Sequence, residues 1–282
     1  MTGFLAITPI DLDLTLGCGQ AHRWHKKEGV WKGVLGDRCA TLAQGEGGVY
    51  YEGISAARLA AYLRIDDDMN SIYRALSERD PLLQSLTERY RGLRLLRQDP
   101  WECLATYILA VNARVERIAN MVEAVCSHFG RPLNECYSFP SPQSIASSPE
   151  KLEDCRLGYR CARLRSLAEA VADGSINLES LRRLDYKECT ETLKTIEGVG
   201  DKVADCVALF SMDHSEAFPV DARIKRCLME YYGVTGSYHR LSSFGRDRFG
   251  DNAGYAQEFL YKMVGDQRSP GHSLGQTHEG GR

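Results

Sequence analysis

Apolar and polar positions change their period along the chain. In the first fifty residues Trp24, Trp31, Val34, Leu35, Thr41, Leu42, Val49, Tyr50 and Tyr51 fall in short runs between Gly and Asp/Lys turns. That pattern predicts a meander of strands. From Ser55 the period becomes helical, with Leu59, Tyr62 and Leu63 on one face. Ile65-Asp66-Asp67-Asp68 reads as a solvated turn, and residues 69–97 continue helical. Asp99-Pro100-Trp101 opens a long helical region in which Leu104, Tyr107, Ile108, Val111, Val115, Ile118, Val122 and Val125 keep a 3–4 spacing. Phe139-Pro140-Ser141-Pro142 is a loop, and another helix ends before Gly158. Residues 161–172, 178–183, 186–196, 202–212, 222–232 and 252–265 read as helices with short connectors. The Gly/Ser/His-rich tail from Ser269 predicts disorder. The expected class is α+β: a strand-rich antiparallel N-terminal domain (1–96), an all-helical domain (97–268) and a disordered tail (269–282).

Composition narrows this picture only a little. At 282 residues, 43% hydrophobic and 26% charged, the chain is ordinary globular material. No apolar run approaches a membrane span, and Met1 to Ile10 lacks a signal-type core, so neither membrane insertion nor secretion is expected. A net charge of −3 gives no bulk attraction to nucleic acid, although Arg89, Arg91, Arg94 and Arg97 make one stretch locally basic. The ten cysteines contain no Cys-x-x-Cys pair. Buried free thiols are therefore expected rather than a zinc site or a disulfide framework. No cysteine follows Cys227, which argues against a C-terminal iron–sulfur loop, and neither a metal nor a cofactor is expected.

The candidate chemistry lies in Leu193–Cys206, followed by Phe218-Pro219-Val220-Asp221. Gly198 and Gly200 break a helical pattern for a tight hairpin, where glycine tolerates left-handed angles and lets a ligand approach the backbone. Unpaired N–H groups at the start of the next helix suit a phosphate. Asp201 is expected as the N-cap of that helix, which places Lys202 in its first turn. The positive helix end, and any burial, disfavour the ammonium form there, and a neutral amine is a nucleophile. Lys202, Cys206 and Phe210 stand at i, i+4 and i+8 on one face, a surface fit to hold a flat heterocycle. Asp221 stands where the next helix begins. An amine beside a fixed carboxylate suits displacement at a sugar C1′ followed by β-elimination. Taken singly, such a lysine is ordinarily a solvated surface residue, such an aspartate only a cap, and such a hairpin a DNA-binding element without catalysis. Their combination favours chemistry.

With these residues in view, the chain resembles the 8-oxoguanine DNA glycosylases of the helix–hairpin–helix (HhH-GPD) superfamily over about residues 10–265. The resemblance is carried by Gly19-Gln20 with Arg23-Trp24, by Leu93 to Pro100 with Glu102-Cys103-Leu104, and by Leu157-Gly158-Tyr159-Arg160. The Lys202 hairpin, Pro219-Val220-Asp221 and Ala253-Gly254-Tyr255-Ala256-Gln257 extend it. It implies a bifunctional glycosylase/AP lyase of base excision repair, acting on duplex DNA that contains 8-oxoguanine opposite cytosine. Lys202 would be the nucleophile and Schiff-base former, with Asp221 its partner. The Gly19 carbonyl would accept the N7–H of 8-oxoguanine and repel the lone pair of guanine. Cys206 and Tyr261 would sandwich the extruded base, Phe210 would line its pocket and Gln257 would read its Watson–Crick edge. Asn112, Arg117 and Arg160 would hold the widowed cytosine while Tyr159 wedges into the stack. Gly198, Gly200 and Arg223 would serve the DNA backbone.

The chain also departs from the family pattern. Asn112-Ala113-Arg114 keeps one of three usual asparagines, His22 replaces a phenylalanine, and Arg223 replaces a histidine. Arg160 has a second reading as a phosphate clamp within the run Arg156, Arg160, Arg163 and Arg165. The alternative functions are a related glycosylase for another oxidised or alkylated base, and a non-catalytic helix–hairpin–helix binder. A Schiff-base aldolase fits poorly without βα alternation. A monomer is expected, in the nucleus if eukaryotic and in the cytoplasm or nucleoid if prokaryotic.

Overall fold

A computed structural model describes residues 2–267, so the expected disordered tail lies outside the described residues. β1 (Thr2–Ala6), β2 (Trp24–Lys27), β3 (Val30–Leu35), β4 (Arg38–Gly45) and β5 (Gly48–Glu52) form one antiparallel sheet in the order β1-β5-β4-β3-β2. The register sets Trp31 opposite Leu42 and Leu42 opposite Tyr51. Strand alternation therefore gathers these three on one face, where they are buried with Leu59 and Tyr62 of α2 (Ala56–Tyr62). The meander was expected. The short helix α1 (Leu12–Gly17) inside it was not; Asp11 caps it through Leu14 N–H.

The larger core belongs to helices and begins before residue 97. α3 (Met69–Arg79) and α4 (Pro81–Arg89) send Met69, Tyr73, Leu76, Leu83 and Leu86 into it, whereas Leu96 packs with the sheet. Asp80 separates the two helices, capping α4 through the N–H groups of Leu82 and Leu83 with Pro81 in the first turn. The helical expectation for 69–97 fails from Tyr90, where the chain turns and then runs without regular structure to Asp99. The cause is Arg94, 1% exposed, whose guanidinium donates to the carbonyls of Leu63, Pro9, Arg64 and Asp67. Arg97 pairs with Asp66 and Asp213. Two arginines of the basic stretch thus clamp protein segments together.

Asp99 caps α5 (Pro100–Ala110), and the long helical region breaks at Val111–Arg114, with Asn112 at φ 53°, before α6 (Val115–Phe129). A two-residue hairpin of β6 (Pro132–Leu133) and β7 (Cys136–Tyr137) precedes α7 (Pro142–Ala146). Then follow α8 (Arg160–Ala172), α9 (Leu178–Leu181), α10 (Tyr186–Lys194) and α11 (Asp201–Ser211). α12 (Ala222–Tyr232), α13 (Tyr238–Phe249) and α14 (Ala253–Gln267) complete the helical part. α13 was not foreseen because its buried face includes Ser242 and Gly245, which carry no apolar periodicity. Gly245 is small for a reason: a Cβ there would lie 2.3 Å from the Phe218 ring.

The thiol expectation needs one correction. Cys39 of β4 and Cys136 of β7 form a disulfide that closes 97 residues of sequence separation. The pairing is set by folding, which brings two distant hairpins together, and spacing could not show it. The remaining eight cysteines are free and, apart from half-buried Cys161, buried.

Candidate active site

α10 and α11 make the hairpin. Gly198 takes φ +88°, and its missing Cβ leaves room for Arg163, whose Cδ would be 2.6 Å from such an atom. Gly200, in extended conformation, is the N-cap of α11 and supplies no side-chain bond. Asp201 is therefore the first helical residue and not the cap expected of it; its carboxylate lies 3.2 Å from Lys194. The first-turn N–H groups are left without a side-chain acceptor, and Lys202 stands in that turn as foreseen. The burial invoked for Lys202 is not found, because the residue is exposed in the free protein.

One buried carboxylate orients this helix. Asp205, 3% exposed, accepts hydrogen bonds from Tyr186 at 2.5 Å, Tyr238 at 2.6 Å and Ser242 at 3.0 Å. The Tyr238 hydroxyl also accepts from Val220 N–H at 3.4 Å. The network thus ties the lysine-bearing helix to the segment that delivers Asp221. Asp221 caps α12, and Arg223 and Ile224 N–H both donate to its Oδ1 at 2.9 Å. Its second oxygen remains available.

Lys202 and Asp221 line one cavity of about 640 Å³. Gly19, Cys206, Phe210, Gln257 and Tyr261 line it too, so the structure brings together the residues expected to hold the base, and Arg223, expected at the DNA backbone, joins them. Its walls are mixed apolar and polar, as ligand sites are. Gly19 lies past the end of α1 at φ +98°, with nothing within 4 Å of where a Cβ would stand. Gln20 beside it is locked inward. Its amide donates to Thr15 and Arg94 carbonyls at 3.0 and 2.8 Å and accepts from Leu96 N–H at 2.8 Å. Phe210 stacks on Tyr107 at 6.0 Å with nearly parallel rings, forming a flat wall that the sequence reading had only half identified. The Arg223 guanidinium lies 4.9 Å from the centre of the Tyr261 ring.

Burial keeps two ionisable groups of the cavity wall neutral. Burial pushes the Cys206 thiol up to about 12, so it remains a thiol and a soft apolar surface. Burial, then the Lys202 charge, bring the His22 imidazole down to about 4. His22, noted beforehand only as a departure, is thus a neutral ring on the wall. Gln257, 5% exposed, has no partner for its Oε1. A buried amide oxygen without a partner is rare in a folded protein. Glu258 was missed altogether. The signal available for it was a carboxyl beside Gln257 in the largely apolar run Tyr255-Ala256-Gln257-Glu258-Phe259-Leu260.

The residues expected to face the opposite strand form a separate cluster outside the cavity lining. Tyr159 is 52% exposed and donates to the Val111 carbonyl at 3.1 Å. Arg160 is buried; its guanidinium donates to the Val111 and Leu157 carbonyls and lies 4.5 Å from the Tyr159 ring centre. Arg117 donates to the Arg156 carbonyl at 2.9 Å, and Asn112 is exposed in the break after α5. Ala113 and Arg114, where the family pattern has asparagines, line the cavity. Among the described residues, no cluster of three or more His, Cys, Asp or Glu could hold a metal ion, and no helix is long and apolar enough to cross a membrane.

Comparison with known proteins agrees with this geometry. The family described as "8-oxoguanine DNA glycosylase, N-terminal domain" matches residues 4–104, and the "HhH-GPD superfamily base excision DNA repair protein" family matches residues 105–243. The N-glycosylase/DNA lyase OGG1 of Arabidopsis thaliana is 31% identical, over 91% of this chain and 78% of its own. A probable N-glycosylase/DNA lyase of Methanothermobacter thermautotrophicus is 27% identical over 91% of this chain and 94% of its own. The 8-oxoguanine glycosylase/lyase of Clostridium acetobutylicum, solved with double-stranded DNA containing cytosine opposite 8-oxoguanine, superimposes with a TM-score of 0.87. Its identity is 31%, with 92% of each chain covered. The strand-rich N-terminal part, the helical hairpin part and the cavity between Lys202 and Gln257 therefore have one common explanation: the chain belongs to the 8-oxoguanine DNA glycosylases of the HhH-GPD superfamily.

Proposed function

We propose that this protein releases 8-oxoguanine from duplex DNA and then cuts the strand through a Schiff base on Lys202, with cytosine preferred opposite the lesion. The observation that carries the reading is the single cavity holding Lys202, Asp221, the free Gln257 Oε1 and the Gly19 turn. The base leaves the stack and enters between Cys206 and Tyr261, its N7–H toward the Gly19 carbonyl and its Watson–Crick edge toward Gln257. Extrusion costs a few kcal/mol, which the stacking and hydrogen bonds must offset.

Cleavage of the glycosidic bond leaves its electron pair on the base and positive charge on the sugar, beside the free oxygen of Asp221. The Lys202 amine, once deprotonated, forms a bond to C1′ and loses a further proton; opening of the C1′–O4′ bond, with a proton going to O4′, gives the protonated imine. Loss of a C2′ proton then expels the 3′ phosphate, which takes the C3′–O electron pair. Across the duplex, the Arg160 and Arg117 guanidiniums would donate to O2 and N3 of cytosine, acceptors that adenine does not pair in the same way. The Clostridium complex, with cytosine in that place, supports this half of the reading.

Borohydride trapping tests it. Protein mixed with duplex carrying 8-oxoguanine opposite each of the four bases should give a covalent adduct, most rapidly opposite cytosine. Release of the base with no trapped adduct would remove the imine. A retarded duplex without base release would leave only a binder.

A further inference from the structure

Gln257 is not alone in facing the cavity with an unsatisfied atom. Glu258, 4% exposed, also lines it and leaves Oε2 without a partner. Such a group demands a ligand contact or a proton. Its place on the wall indicates which contact. Glu258 follows Gln257 on α14, and its carboxyl meets the thiol of Cys18, the residue before Gly19. It therefore belongs to the stretch of wall joining the Gln257 amide to the Gly19 turn. On the base placed there under the function proposed above, the atom between N7–H and N1–H is the O6 acceptor. We propose that Glu258 is a further base-binding residue, whose neutral carboxylic acid donates a hydrogen bond to O6 of the extruded 6-keto purine.

The surroundings supply the proton. Burial raises the Glu258 carboxyl, the Cys18 contact lowers it and the Asp221 charge raises it again, leaving it at about 7. The ionisable groups around it are Cys18 after α1, Tyr107 on α5, Cys206 on α11, Asp221 at the start of α12 and Tyr261 on α14. The cations Lys202 on α11 and Arg223 on α12 line the same cavity, but among the described residues neither forms an ion pair with the Glu258 carboxyl. A neutral carboxylic acid is a good donor to a ring carbonyl, whereas the carboxylate would set two lone-pair-bearing oxygens against each other. The inference rests on the base orientation in the proposed function, and the test below separates the two.

Single-turnover base release should be followed from pH 6 to pH 9 for the wild type, Glu258→Met and Glu258→Gln. Two duplexes serve, one with 8-oxoguanine and one with its 6-thio analogue, which keeps N1–H but offers a weak acceptor. At pH 6 Glu258→Met should be about three- to ten-fold slower than wild type on 8-oxoguanine, the worth of one hydrogen bond. That ratio should vanish by pH 9 as the wild-type donor is lost. Glu258→Gln, which donates at every pH, should recover most of the loss and flatten the difference. The oxygen-over-sulfur preference of the wild type should shrink in Glu258→Met. Equal rates for wild type and Glu258→Met at pH 6, an unchanged pH profile in both variants, or an undiminished oxygen preference would each overturn the proposal. A wild type inactive on 8-oxoguanine would overturn the proposed function itself.

Discussion

The base cavity and the Tyr159–Arg160 cluster make opposite use of their polar atoms. In the cavity, Gln257 Oε1, Glu258 Oε2 and His22 Nδ1 are buried and without partners. In the cluster, Tyr159, Arg160 and Arg117 all donate to the protein's own carbonyls at Val111, Leu157 and Arg156. The cavity wall thus leaves two side-chain oxygens and a ring nitrogen unpaired, whereas the cluster directs its donors to the protein's own carbonyls, apart from Arg160 Nε, which is also buried without a partner. Filling the cavity creates hydrogen bonds, so its substitutions should cost rate directly. Under the proposed function the cluster must exchange these hydrogen bonds to read the opposite base, so substitutions there should alter preference more than rate.

The largest expected effect breaks the cavity side of this contrast. Lys202→Gln should abolish base release and the borohydride adduct while leaving duplex affinity within a few-fold, since Lys202 is exposed and ion-paired to nothing among the described residues. Residual adduct formation would place the nucleophile elsewhere. Asp221→Asn should follow, with base release slower by about a hundred- to a thousand-fold, the usual cost of removing one preorganised electrostatic group. Asparagine caps helices as well as aspartate does, so the thermal midpoint should stay within about 2 °C, a shift corresponding to a fraction of a kcal/mol. A large fall in the midpoint would mean that Asp221 serves the fold more than the reaction.

The position of Asp221 shows what could be read in the sequence. The observed cap and the carboxylate proposed for catalysis are one residue, and the spacing of Lys202, Cys206 and Phe210 is local geometry, so the hairpin side of the site was legible. So was the division into sheet and helices, because Leu42, Val49 and Leu59 follow the periods of their own elements. What stayed hidden depends on contacts between distant segments. Arg94 looked like part of a basic stretch until four carbonyls from two other segments surrounded it. Cys39 and Cys136 looked like buried thiols because the 97 residues between them give no hint of proximity. Glu258 went unremarked because its partnerless oxygen exists only once Cys18 and Asp221 are folded around it.

On the cluster side, Arg160→Ala should sharpen the comparison. Its loss removes a fork that donates to Val111 and Leu157 and frees Tyr159 from a stacked guanidinium. Release opposite cytosine should fall about ten-fold, and release opposite adenine by much less, which relaxes the preference without changing the trapped product. Equal losses opposite all four bases, together with a shallower dependence of affinity on salt, would instead identify Arg160 as a phosphate clamp.

The smallest effect should come from Tyr159→Phe. The ring that would wedge between bases remains, and only the hydroxyl donating to Val111 at 3.1 Å disappears. Because the side chain is 52% exposed, that bond contributes little to stability, about 0.5 kcal/mol or less. If the cluster must release its own carbonyls to engage DNA, the phenylalanine variant has one bond fewer to break, and its duplex affinity should equal the wild type or exceed it by up to about two-fold. Tyr159→Ala should lose affinity, having lost the ring. A phenylalanine variant that binds as weakly as the alanine variant would show that the hydroxyl itself contacts DNA. The cluster would then be prepared for its ligand in the same sense as the cavity.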